Sequence, residues 1–285
     1  MPSLIDIRRR IRSVKSTQQI TKAMKMVAAA KLRKAQERVI SSRPYAKIFE
    51  QVLKNVSAVA ASDDRVASHP LLAVRPENRI QVVLITSDRG FAGGFNANLI
   101  RAAQQFYNEH SGKVEVELYG RKGRDYFRRR GVVPTGEVTG ISENPKLDHA
   151  AALSKKMIDR FSEQEIDSVY LLYNEFKSVL AQKVTLKRIL PIALPEGAAV
   201  QDYIYEQPPA EMMRTLLPAY VQVEIYRSML ESAAAEFAAR MTAMDAATSN
   251  ADEVIEKLTL YMNRVRQASI TKEIIEVVSG AAALD

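Results

Sequence analysis

The residues with the clearest chemical potential follow an apolar, β-branched run. Ile80-Gln81-Val82-Val83-Leu84-Ile85-Thr86 reads as a buried strand, and Ser87-Asp88-Arg89-Gly90-Phe91-Ala92-Gly93-Gly94 follows as a loop. A glycine loop between a strand and a helix is where backbone N–H groups can cradle a phosphate. Here the spacing does not suit that task. The loop has neither G-x-G-x-x-G nor the closing Gly-Lys-Ser/Thr of a P-loop, and no acidic residue follows a second strand to hold a ribose. It reads as a structural turn, with Asp88 and Arg89 as a turn-stabilising pair or a contact surface. Ser87 has no histidine near it in sequence to activate a nucleophile.

The remaining candidates are equally thin. His69, His110 and His149 lie about forty residues apart, without metal-ligand spacing, and read as surface or helix-end residues. Glu231, Glu236, Asp252 and Glu256 read as the solvated face of a long helix. Met24, Met26, Met229, Met241, Met244 and Met262 read as seam and flexible packing. The chain has no cysteine, which excludes disulfides and thiol chemistry. No catalytic, cofactor-binding or metal-binding residue is therefore expected.

The elements that carry these residues are more informative. Ala219 to Ser279 contains no glycine or proline and is rich in helix formers. Taking Val223 as position a gives Val223, Leu230, Phe237, Met244, Ala251, Leu258 and Val265 at a. The d positions are then Tyr226, Ala233, Arg240, Ala247, Val254, Tyr261 and Ala268. A seven-residue repeat sustained this long predicts a left-handed coiled coil, roughly 90 Å long at 1.5 Å per residue. A second long helix is predicted from the N-terminus, with Ser3 as N-cap and Asp6 as the box acid. Leu4, Ile7, Ile11 and Val14 begin its stripe. Ile20, Met24 and Val27 continue it after a slip, Leu32 to Val56 resume it, and Pro44 predicts a bend. Small residues at many seam positions suit close backbone approach.

Between these helices the pattern alternates strand and helix: strands near 80–86, 114–119, 132–139, 168–176 and 183–190, and helices near 96–109, 121–130 and 148–164. The last two strands are expected to pair antiparallel, and Asp202 to Glu206 to form an edge strand. The predicted fold is an α/β domain inserted between two long terminal helices that form an antiparallel left-handed coiled coil. The shaft takes 1–60 and 210–285, a Rossmann-like globular part takes 75–200, and 61–74 and 201–209 connect them.

Charge is unevenly spread. Residues 1–60 carry 14 basic and 3 acidic side chains, residues 219–285 carry 6 and 10, and the whole chain is +8. The basic head either attracts the acidic tail or meets an acidic partner. No apolar run reaches the roughly 18 residues of a membrane span.

Several blocks, in order along the whole chain, resemble the gamma subunit of F-type ATP synthases. Ile270-Thr271-Lys272-Glu273-Ile274-Ile275-Glu276-Val277-Val278-Ser279-Gly280-Ala281-Ala282-Ala283 is similar to that family's C-terminal signature, and Ile20 to Lys31 (ITKAMKMVAAAK) to its N-terminal helix. Ser87-Asp88-Arg89-Gly90 with Gly93-Gly94 resembles its α/β loop. Arg240 to Thr248 and Arg264 to Ala268 resemble its last helix.

The resemblance implies a central rotor shaft that couples proton-driven rotation of a c-ring to conformational cycling of catalytic beta subunits, with no active site of its own. It implies three alpha and three beta subunits, an epsilon subunit and the c-ring as partners, and no cofactor. By position it assigns contacts with beta to Met24 and Lys25, with Arg9 and Arg10 nearby, and to Arg266, Gln267 and Thr271. It assigns Tyr205 and Glu206 to the c-ring and epsilon. It also implies a bacterial protein, peripheral on the cytoplasmic side of the plasma membrane, reaching the membrane only through the c-ring. Ala92 stands where some relatives have cysteine. Three rivals compete: a nucleic-acid binder with a basic helical arm, a nucleotide-dependent enzyme and a passive spacer. The arm lacks base-stacking aromatics, which argues against the first.

Overall fold

The computed structural model describes residues 3–59, 68–194 and 207–282. They fall into two compact units. One holds 29–240; the other joins the head of the chain up to Ala28 with its tail from Met241. Two long helices contribute to both: α1, Leu4–Val59, and α5, Pro209–Ala282. The predicted Asp202–Glu206 strand lies outside the described residues, as does the first half of the 61–74 connector.

The start of α1 is set by Ser3. Its hydroxyl oxygen accepts the Asp6 N–H at 3.2 Å, and its O–H donates to the Asp6 carboxylate at 2.9 Å. The helix continues through Pro44. Its seam contains no slip. Leu4, Ile11, Gln18, Lys25, Leu32, Val39, Ala46 and Leu53 recur every seven residues. Ile7, Val14, Thr21, Ala28, Ala35, Ser42, Phe49 and Val56 recur in the same way, and all sixteen are buried or half-buried. Ile20 and Val27, expected in the stripe, are instead more than half exposed, as is Met26. The expected slip came from reading only apolar residues. Gln18, Thr21 and Lys25 hold seam positions with polar groups that are satisfied across the pair.

The register of α5 also needs correction. Within the head-and-tail unit Met244, Ala251, Leu258 and Val265 face inward as expected, but Val254, Tyr261 and Ala268 face solvent. The companion positions lie one residue later in each heptad, at Thr248, Ile255, Met262 and Ser269. Gln18 donates to Asp252, Thr21 and Thr248 share a 2.8 Å hydrogen bond, and Lys25 meets Asp245 at 2.5 Å. As one number rises the other falls, so the helices are antiparallel. The seven-residue repeat is that of a left-handed supercoil.

The larger unit is built on a five-stranded sheet of order β3-β2-β1-β4-β5, with β1 at Ile80–Ile85, β2 at Val114–Tyr119, β3 at Gly136–Val138, β4 at Ser168–Phe176 and β5 at Gln182–Leu190. All neighbours are parallel except β4 and β5, which are antiparallel as expected. β3 is shorter than its predicted 132–139 span. Strand alternation sends β1 side chains to two cores. Ile80, Val82 and Leu84 pack with Phe95, Leu99 and Ala103 of α2 (Phe95–Glu109) and Phe127 of α3 (Arg121–Arg128). Val83 and Ile85 pack with Leu153, Met157 and Phe161 of α4 (Leu147–Ser162) and with Met213, Leu217, Val221 and Ile225 of α5.

α5 starts at Pro209, well before Pro218, which sits inside it. Here it is pressed between the sheet and α1, whose Val39 packs on Leu230 and Ala234. Residues 228–238 are buried all round. Gly120 makes the β2-to-α3 corner. Its φ is +97°, and an added Cβ would lie 2.1 Å from the Thr86 carbonyl oxygen, so only glycine fits.

Candidate functional site

The loop after β1 lies at the carboxyl end of the sheet, beside the β1/β4 boundary where α/β folds open a ligand crevice. Its polar groups are turned inward. The Ser87 N–H donates to Asn96 Oδ1 at 3.0 Å, and Asn96 Nδ2 donates to Ser87 Oγ at 2.8 Å. Asp88 accepts the Arg121 N–H at 3.0 Å and the Ser142 N–H at 3.2 Å. Burial works against the Asp88 charge, but hydrogen bonds from Gly140, Ser142 and Arg121 outweigh it and hold the carboxyl below its ordinary pKa. Asp88 therefore stabilises the turn without Arg89, whose guanidinium points to Glu143 at 3.5 Å. The cavity left between Thr86, Gly120, Ser142, Met229 and Glu236 is about 10 Å³, room for about one water.

The floor of this region is an ion network. Arg240 donates to Glu236 at 2.6 Å and to the Gly90 carbonyl at 3.4 Å, and lies 3.8 Å from Glu143. Lys31 of α1 also meets Glu143. Glu231 and Glu236 were expected on a solvated helix face, but they are 3% and 1% exposed. The reason is the sandwiching of α5, which leaves it no outer face at this level; Asp252 and Glu256 are exposed as expected. Burial pushes the Glu236 carboxyl up to about 7, with Arg240 pulling the other way. Above this floor Phe91 stands 75% exposed with φ +60°. Bulky residues rarely adopt that conformation, which costs about 1–3 kcal/mol. Sequence patterns gave no signal for it, because an aromatic between glycines looks like any turn residue.

The histidines sit at helix ends. His69 caps the 3-10 turn Pro70–Leu72, His110 follows α2, and the His149 ring accepts the Lys146 N–H at 3.2 Å where α4 begins.

The surface residues carried by the terminal helices lie in the head-and-tail unit. Arg9 and Arg10 are exposed on α1, Met24 is half-buried, and the Lys25 side chain is 41% exposed beside Asp245. Arg266, Gln267 and Thr271 are exposed on α5, with Thr271 Oγ1 donating to the Gln267 carbonyl at 2.9 Å. From residue 270 to 279 every side chain is exposed, including Ile270, Ile274, Ile275, Val277 and Val278. A run of this kind with no cover marks an interaction surface. Tyr205 and Glu206 lie outside the described residues.

A family model described as ATP synthase matches residues 3–284. An ATP synthase gamma chain of Solibacter usitatus is 64% identical over the full length of both chains, and one of Anaeromyxobacter is 50% identical over the same extent. The chain belongs to the ATP synthase gamma chain family. Among solved structures, the rotor of Euglena gracilis mitochondrial ATP synthase matches this gamma-family chain with a TM-score of 0.67 at 18% identity, covering 94% of this chain and 98% of that one. The central stalk and c-ring structure from Tetrahymena thermophila matches at 0.60 and 23%, covering 80% and 99%. At these identities the likeness is one of fold. The gamma-family fold has a central mixed sheet between an N-terminal and a long C-terminal helix. Among the described residues of this member no helix is long and apolar enough to cross a membrane.

Proposed function

We propose that the chain is the central rotor shaft of an F-type ATP synthase. In this role it carries rotation of a c-ring to three catalytic beta subunits, alternating with three alpha subunits, and has no active site itself. The observation that carries this reading is the antiparallel pairing of chain head and chain tail in a chain that matches gamma chains end to end. The bare apolar run from Ile270 to Val278 supports it, because a sleeve of partner subunits would cover that surface.

The contacts follow from charge and exposure. Arg9, Arg10, Met24 and Lys25 on α1, and Arg266, Gln267 and Thr271 on α5, are the beta-contact residues of this proposal. Lys25 illustrates how such a contact can form and break. A partly exposed ion pair is worth about 0–1 kcal/mol, so exchanging Asp245 for a carboxylate on a beta loop is close to neutral. Arg266 can grip more firmly, because its planar fork binds a carboxylate with two hydrogen bonds. Coupling requires that each beta conformation see a different face of the shaft, since only differential contact shifts an equilibrium. One charge crossing 100 mV yields about 2.3 kcal/mol, so several crossings must be pooled for each ATP.

In the same proposal 1–60 and 210–285 form the shaft, 75–200 form the globular part, and Tyr205 and Glu206 touch the c-ring and epsilon. The chain works at the cytoplasmic face of a bacterial plasma membrane. Co-expression with alpha and beta subunits tests this reading. The expected complex holds one copy of the chain with three of each, and failure to assemble would overturn it.

A further inference from the structure

The larger unit carries a second surface that the rotor reading does not use. α2 and α3 lie on the same face of the sheet and leave a groove of about 870 Å³ between them. Arg101, Lys122, Arg129 and Arg130 line it. From Arg121 to Arg130 there are six basic residues against one acidic, Asp125. Asp125 pairs with Arg124 at 2.9 Å and Glu137 with Arg128 at 3.4 Å. Arg101, Lys122 and Arg129 have no ion pair with any described residue. Two carboxylates, Glu109 and Asp125, line it as well, so the four cations leave the groove a net positive charge.

A second observation narrows the ligand. Gln104 faces the groove from α2; its Nε2 donates to Asn108 Oδ1 at 2.8 Å, while its Oε1 is buried with no hydrogen-bond partner. A buried acceptor left unpaired costs about 1–3 kcal/mol, which an incoming N–H recovers once the amide turns to meet it. Carboxylates for the arginines and an N–H for the amide are both supplied by an acidic peptide. A DNA backbone supplies oxygens and no hydrogen-bond donor, and the one aromatic in the groove, Tyr126, already has Arg130 stacked on it at 3.7 Å. α2 is 15 residues and roughly 22 Å long, so the groove matches about six or seven residues of extended chain.

We propose that the α2/α3 groove is a docking site for an acidic, extended peptide segment of a partner protein. The proposal stands independently of the rotor reading. Its test uses the full chain and a fluorescein-labelled peptide of four Glu-Ala repeats, followed by anisotropy. The double variant Arg101→Glu/Arg129→Glu is expected to weaken binding by about a hundredfold, since each lost charge-assisted bond is worth about tenfold or more. Gln104→Leu, which changes no charge, is expected to weaken it by at least about fivefold. Arg8→Glu/Arg12→Glu makes the same change in net charge on exposed positions of α1 and is expected to have little effect. Equal weakening by that pair would reduce the binding to net charge and overturn the proposal. So would tighter binding of a 12-base-pair DNA duplex or of phosphatidylglycerol vesicles.

Discussion

At the scale of single residues, buried charge and exposed charge behave differently in this chain. Glu236 is the clearest buried case. Its folded pKa is about 7, against about 4.3 for an unfolded glutamate. Between those values the folded chain holds a proton that the unfolded chain has lost. Stability from this group is therefore greatest below about pH 4.3 and declines as pH rises towards 7. Glu236→Gln, which still accepts from Arg240, is expected to flatten that slope; urea midpoints at pH 5, 6, 7 and 8 would read it, and an unchanged slope would contradict it. Arg266 is the exposed case. Arg266→Ala is expected to lower proton-driven ATP synthesis in membranes by about tenfold, the loss of one charge-assisted contact, while changing stability by no more than about 0.5 kcal/mol. Unaltered synthesis would remove Arg266 from the beta contact. Gly120→Ala should fail to fold stably, since its methyl would meet the Thr86 carbonyl, and thermal denaturation would show it.

At the scale of elements, the helices and strands of the larger unit were legible from periodicity, because strands and helices differ in period and are punctuated by glycine and proline. β2 and β4 matched their predicted bounds, and β1 and β5 came within a residue. The seam was less legible. Gln18, Thr21 and Lys25 look like surface residues, and Ile20 and Val27 look like core, yet the geometry of a paired helix reverses both. Only a strict seven-residue count, ignoring residue type, would have found this. The polar layer makes its own prediction. Thr21 and Thr248 bond to each other inside the pair. The double variant Thr21→Val/Thr248→Val is expected to be as stable as the native chain or more so, whereas each single valine leaves the other hydroxyl with only its own backbone carbonyl partner, Gln18 for Thr21 and Met244 for Thr248. A double-mutant cycle should return about 1 kcal/mol of coupling. Additive effects would mean that the hydroxyls do not depend on each other.

At the scale of the whole molecule, a basic head pairs with an acidic tail, and the α/β part is inserted between them. That plan was legible because charge and helix length can be read without contacts. What could not be read was where α5 is enclosed on every side, since that depends on two neighbours distant in sequence; Glu231 and Glu236 were misplaced for that reason. Residues 270–279 of α5 are exposed, so removing the chain from Ile270 onward should leave the fold intact and weaken coupling. ATP hydrolysis and proton pumping measured on a chain ending at Ser269 would separate the two, and normal coupling would show that the exposed end is not needed.

The most direct measurement is to watch the chain turn. It has no cysteine, so V133C, at an exposed loop position, would be its only thiol and could carry a bead. In a surface-held complex with alpha and beta subunits, ATP should drive the bead in one direction in steps of about a third of a turn, one for each of three beta contacts. A bead that only fluctuates while ATP is hydrolysed would contradict the shaft.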